Sequence, residues 1–213
     1  NVVICNYSIN QEYILPQVVI VGLMAGVFLT PGTATAQDAV GVVLKKDGGR
    51  LEGTIRWKSV AGEYEVTTPK GVTMSVKLND VSKVSVRRPA ELDAALKTAQ
   101  TNPSAAIPAL DNVMKSFTRL EWDTVAAQAL AQCYSKTGNA KKAAEVCDKV
   151  YAANPDAVTD RDFASAYLNA LIDTDQAAKV STLLVTLSEK APRDVAAIAQ
   201  IKRGDLLVKK NNY

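Results

Sequence analysis

Residues Leu130–Pro155 read "LAQCYSKTGNAKKAAEVCDKVYAANP". The stretch is rich in Ala and Lys, and its pattern breaks once, at Thr137-Gly138-Asn139. Before the break, Ala127, Leu130, Ala131 and Tyr134 recur at helical spacing and share one face. After it, Ala143, Cys147 and Val150 do the same. Gly138 permits a turn too tight for a Cβ, and Pro155 stops the second run. Small Ala131 and Ala143 would let two helix axes approach closely, with Leu130 and Tyr134 filling the space beside the contact. The stretch predicts an antiparallel helical hairpin.

Working outward, the same helical period holds from Pro89 to the end. It predicts helices near 90–101, 104–118, 121–136, 140–153, 160–172, 175–190 and 194–210. Asn102-Pro103, Thr137–Asn139 and Asn154-Pro155 mark boundaries. Asp160 is the expected N-cap of the fifth helix, and Asp173 or Thr174 that of the sixth. Phe163-Ala164-x2-Tyr167 repeats Leu130-Ala131-x2-Tyr134 after 33 residues, whereas Pro192 follows Pro155 after 37. The second unit therefore carries an insertion of a few residues near Leu171–Asp175. A third start, "IKRGDLLVKKNNY", reaches Tyr213 before a second helix could form. The preceding pair, 90–118, reads as a degenerate unit, with Pro108 disturbing its second helix.

This constellation resembles the tetratricopeptide repeat: large–x2–Leu–small–x2–Tyr, then Gly, then Ala, an aromatic and Pro. Ala127 stands where the family usually has a large aromatic, and Cys147 where it often has another. The resemblance implies a groove lined by the first helix of each pair, with Gln128, Gln132, Ser135, Lys136 and Asn169 facing a protein or peptide partner. The unfinished third unit implies an apolar helix face that a second copy could cover.

Residues 39–88 have a different period. "AVGVVLKK", "RLEGTIRWK", "EYEVTT", "VTMSVKL" and "SKVSVR" alternate with period two, separated by Asp47-Gly48-Gly49, Ala61-Gly62 and Pro69-Lys70-Gly71. Five short strands bury too little as a flat sheet, so the expectation is a small closed antiparallel barrel. Its core would be Val42, Leu44, Leu51, Ile55, Tyr64, Val66, Met74, Val76, Val84 and Val86, with Trp57 undecided. "LNDVS" (78–82) would be one tight turn. The layout resembles the Sm-like and Src-homology-like small barrels in "VVLKKDGGRLEGTI", "YEVTTPKGVTMSV" and the turn before "KVSVR". The fold class expected is α+β, with a barrel at 37–88 and a helical-hairpin array at 89–213.

The N-terminal part follows neither pattern. "QVVIVGLMAGVFL" (17–29) is thirteen residues without a charge. Pro31-Gly32 and "ATA" (34–36) follow, so residues 1–36 read as a secretory signal peptide cut after Ala36. The preceding segment lacks Lys and Arg and carries Glu12, which leaves a retained anchor or a buried helix as alternatives. Export places the chain in the periplasm or outside the cell, suited to a bacterial envelope assembly.

Composition narrows the chemistry. The chain of 213 residues has net charge +3 and no histidine, which removes the commonest general base and metal ligand. No Gly-rich phosphate loop, paired-cysteine zinc pattern, nucleophile elbow or calcium loop occurs. No enzyme, cofactor or metal site is expected. Cys133 and Cys147 sit on the two helices of one hairpin. They form either a disulfide, as an exported protein allows, or two buried thiols. The 38–88 segment holds ten Lys/Arg against six Asp/Glu, and residues 89–213 fifteen against fifteen. Only Trp57 and Tyr64 could stack on bases there. Export argues against nucleic acid, leaving a solubilising face or contact with an anionic membrane surface or wall polymer.

Overall fold

The computed structural model describes residues 39–211. The proposed signal peptide or anchor, 1–36, lies outside them, as does Tyr213. Five strands come first: β1 (Ala39–Lys45), β2 (Arg50–Lys58), β3 (Glu63–Thr67), β4 (Thr73–Lys77) and β5 (Val81–Val86). Seven helices follow: α1 (Ala90–Thr101), α2 (Pro103–Ser116), α3 (Trp122–Lys136), α4 (Ala140–Ala153), α5 (Arg161–Asp173), α6 (Ala177–Lys190) and α7 (Arg193–Asn211). The class is α+β, and the change of period at Pro89 falls between β5 and α1.

The strands form one antiparallel sheet in the order β4-β3-β2-β1-β5. It is not the closed barrel the sequence suggested, because β4 and β5 do not pair. A single 3₁₀ turn, Leu78–Asp80, carries the chain from one edge to the other. A curled sheet must close on itself only where nothing else covers its apolar face. Here Ala39, Val43, Ile55, Tyr64, Val66 and Val86 join Leu92, Leu110, Phe117 and Leu120 in one continuous core. The helices supply the cover that closure would have supplied.

Three predicted core residues are corrected. Leu44 is 38% exposed, and Val42 and Met74 are only half-buried, whereas Val43 is fully buried. The inward row of β1 is Ala39-Gly41-Val43, in register with Ile55, Gly53 and Leu51 on β2. The small residues are there because the strands approach closely. A Cβ on Gly41 would lie 2.2 Å from the Ser85 carbonyl oxygen, and one on Gly53 2.1 Å from that of Thr67. Choosing the larger side chains of β1 selected the wrong face. Trp57 is half-buried, tilted against Tyr64 at 4.8 Å between ring centroids.

The helices pack as hairpins. The first helices α1, α3, α5 and α7 neighbour one another in a row, and α3, α5 and α7 each also pack on the second helix of the preceding pair. Ala131, Ala143 and Ala164 are buried where helices meet. Pro108 does not interrupt α2. It stands on the exposed face and forfeits one backbone hydrogen bond toward Ser104 without breaking the helix. Asn102 caps α2 by accepting from the Ala105 N–H at 3.2 Å. Asp160 caps α5 by accepting from Asp162 and Phe163 at 3.0 and 2.8 Å. The cap expected from Asp173 or Thr174 is not made: Gln176 precedes α6, without a side-chain cap. A 3₁₀ turn, Pro155–Thr159, connects α4 to α5 and buries Ala157 and Val158.

The ends of α3 and α5 explain the irregular spacing. After α3, Asn139 N–H bonds the Tyr134 carbonyl and Gly138 N–H that of Ser135, with Gly138 at φ +77°. After α5, Gln176 N–H bonds Leu171 and Asp175 N–H bonds Ile172, with Asp175 at φ +55°. Both are Schellman ends. They lie 37 residues apart, while the core faces of the two helices lie 33 apart. The insertion near Leu171–Asp175 is thus one extra helical turn between Tyr167 and the end of α5.

Candidate functional site

The sheet meets the helices at the α2–α3 elbow, and this junction fixes where the helical array stands. Arg119 and Glu121 both have positive φ (57° and 77°), a backbone state that non-glycine residues adopt at a cost of about 1 kcal/mol or more. Their surroundings hold them there. Asp123, 2% exposed, accepts from the Arg119 N–H at 2.7 Å and from the Thr124 N–H at 2.9 Å. The Arg119 carbonyl accepts from Tyr64 Oη at 3.1 Å, and its guanidinium lies 5.0 Å over Trp57 and donates to the Ala153 carbonyl. Burial pushes the Asp123 carboxyl above its ordinary range, against the pull of those donated N–H bonds. The two aromatic rings of the sheet are therefore used internally, and Tyr64 is 4% exposed. They do not form a stacking platform for bases.

With α3 anchored in this way, the next surface outward is an open concavity of about 460 Å³ between α3, α5 and α7. Gln128, Gln132, Ser135, Lys136 and Asn169 all line it, so the five residues expected to face a partner are brought together. The floor includes Ala131, Ala166 and Ile172. Asp162, Ser165, Asp173 and Asp205 complete the wall and were missed from sequence. The 33-residue offset places Ser165 beside Gln132 and could have found it. Asp205 enters from α7, and the third start could have found it too: Asp205 follows Gly204 there as Gln132 follows Ala131 and Ser165 follows Ala164. The walls present amides, hydroxyls, carboxylates and one ammonium group. That set can hydrogen-bond an extended backbone and pair with charges.

Cys133 and Cys147 are separate, buried thiols. They face the hairpin core and not the concavity. Burial pushes both thiols up, Cys147 to about 12, the opposite of what a reactive cysteine requires. Among the described residues, no group of three or more His, Cys, Asp or Glu side chains is gathered to hold a metal.

Two further surfaces stand apart. On the side of α4–α6, Asp148 accepts from Tyr167 Oη at 2.5 Å and from Lys179 Nζ at 2.6 Å, beside the tilted Tyr151–Tyr167 pair. The Tyr167 phenol is held protonated well above its usual range, first by burial and then by Asp148. These groups satisfy one another. On the sheet, exposed Val40 and Leu44 share the outer row of β1, and register places Leu44 between Arg50 and Lys83.

No family model matches the chain, and no significantly similar curated protein or solved structure was found.

Proposed function

We propose that the chain is a non-enzymatic exported adaptor. It captures a protein or peptide segment in the concavity of α3, α5 and α7, and the basic sheet serves as a second docking surface. The observation that carries this reading is the convergence of Gln128, Gln132, Ser135, Lys136 and Asn169 on one open wall. Stacked hairpins with small residues at 131, 143 and 164 support the resemblance to tetratricopeptide repeats, whose binding face is the row of first helices. The amide groups suit a polypeptide backbone, which offers donors and acceptors at every residue.

A photo-crosslinking amino acid placed at Gln132 or Asn169, and in parallel at exposed Lys141 on α4, tests the assignment in cells. Discrete adducts at the first two positions and none at the third are expected. Equal labelling at all three would remove the groove from the reading.

One observation favours a second reading, a self-associating structural subunit of an envelope or surface assembly. Ile201, Leu207 and Val208 of α7 and Val185 of α6 are 54–63% exposed, an apolar set at the far end of the array. Exposed apolar side chains gathered on two neighbouring helices are a surface that a second copy could cover. Sedimentation across a concentration series decides between the two: a constant monomer supports the adaptor, and growing oligomers support the subunit.

A further inference from the structure

We infer that the concavity selects an extended cationic segment with two basic residues about five positions apart. This deepens the groove reading and rests on it. Four charged side chains line the wall: Lys136, Asp162, Asp173 and Asp205. Asp205 is engaged by Lys202 at 3.2 Å on its own helix. Among the described residues, Asp162 and Asp173 make no salt bridge, and neither does Lys136. Lys136 lies in the last turn of α3 as Asp173 closes α5. Two carboxylates are thus left open to a partner against one ammonium, so the wall favours a positively charged occupant.

The two carboxylates are also a ruler. Asp162 lies in the first turn of α5 and Asp173 is its last residue. Eleven residues of helix at 1.5 Å each separate them by about 16 Å. An extended chain advances about 3.3 Å per residue, so that span corresponds to about five residues. Between the carboxylates lie Asn169 and Ser165 on α5, with Gln132 and Gln128 on α3. These offer hydrogen bonds to the intervening backbone and do not read its side chains. A segment matched to the wall would place one Lys or Arg at each end and small or polar residues between. A helical ligand would need its cations eleven residues apart, and its backbone would then be closed to the amides.

Fluorescence anisotropy with the full chain tests this, using short labelled peptides of Ser, Gln and Ala. One peptide carries two Arg five residues apart, one the same two Arg adjacent, one two Glu five residues apart, and one no charge. The spaced-Arg peptide is expected to bind about tenfold tighter than the others at low salt, as two weak exposed ion pairs would give. Asp162→Asn and Asp173→Asn should each lower its affinity about threefold, and raised salt should erase the preference. Equal binding of the neutral, acidic or adjacent-Arg peptide would overturn the charge ruler while leaving the groove reading in place. No binding of any peptide by a chain with an unchanged melting curve would overturn both. Unchanged affinity in Gln132→Ala would place the peptide elsewhere and also overturn the inference.

Discussion

Trp122 donates its indole N–H to the Val86 carbonyl across 2.9 Å, and the neighbouring Glu121 Oε2 accepts from the Val86 N–H at 3.3 Å. Arg87 N–H bonds back to Val40 on β1, so the Val86 groups face the opposite way, out of the sheet edge. Two side chains at the start of α3 therefore act as a short substitute strand. They satisfy backbone groups that an edge would leave open. Arg88 lies 5.1 Å over the same indole. The contact couples a strand and a helix 36 residues apart in sequence.

Trp122→Phe should keep the ring and lose the donor. We expect a loss of about 1–2 kcal/mol, the cost of leaving a partly buried carbonyl unpaired. Because sheet and helices share one core, urea unfolding followed by far-ultraviolet and near-ultraviolet circular dichroism should shift together. Two separated transitions would mean that the sheet and the array fold as independent units.

How far the sequence reaches is clear at this junction. Helical spacing, Gly138 and the proline stops located every helix to within about two residues. The reason is that those signals are local and act in the chain before packing. The docking of Trp122 on Val86 has no local signal, since neither residue breaks a pattern. The face of β1 was misjudged for a related reason. "VGVVLKK" offers apolar residues to both faces, and the choice is made by Ser85 and Thr67 crowding Gly41 and Gly53 from other strands. Closure of the sheet was over-read because the helical cover for its apolar face lies beyond the segment considered. The groove was legible where the repeat register carries positions across: Gln132, Ser165 and Asp205 each follow the small residue of their unit.

Asp123 makes a pH prediction. Its folded carboxyl titrates above the ordinary 3.8 because burial disfavours the charge. The folded state therefore holds the proton more tightly than the unfolded chain. This contribution is fully present below about pH 3.8 and is lost as pH rises through the raised folded value. In Asp123→Asn that component of the pH dependence should vanish. Urea midpoints measured from pH 4 to 7 should fall with pH less steeply, or rise more, than those of the parent chain. Parallel curves would show that Asp123 does not titrate in this window.

The two hairpin thiols should be silent in the folded protein. Cys147 has its thiol pushed to about 12 and is fully buried, and Cys133 is 1% exposed. In a Cys5→Ser chain, a thiol-specific chromogenic reagent at pH 8 should label neither on the time scale of seconds. Both should react promptly in denaturant, because unfolding restores exposure and an ordinary pKa. Mass spectrometry of the denatured, unreduced chain after alkylation should find two modified cysteines. Finding none would mean that the two are joined in a disulfide.

The paired helix ends give the last prediction, in which two substitutions have opposite signs. Gly138 and Asp175 occupy equivalent left-handed positions after α3 and α5, at φ +77° and +55°. Glycine adopts that state freely, whereas a side chain with a Cβ costs roughly 1 kcal/mol there, somewhat less for Asp. The backbone hydrogen bonds at the two ends are alike, so exchanging the residue changes mainly this conformational term. Asp175→Gly should therefore raise stability by about 0.5 kcal/mol, part of the gain being returned through a more flexible unfolded chain. Gly138→Ala should lower it by about 1 kcal/mol, although nothing stands within 4 Å of the added Cβ. Thermal melts of the two variants should move to opposite sides of the parent. A stabilising Gly138→Ala would show that α3 does not end in a left-handed turn, and that the hairpin is built some other way.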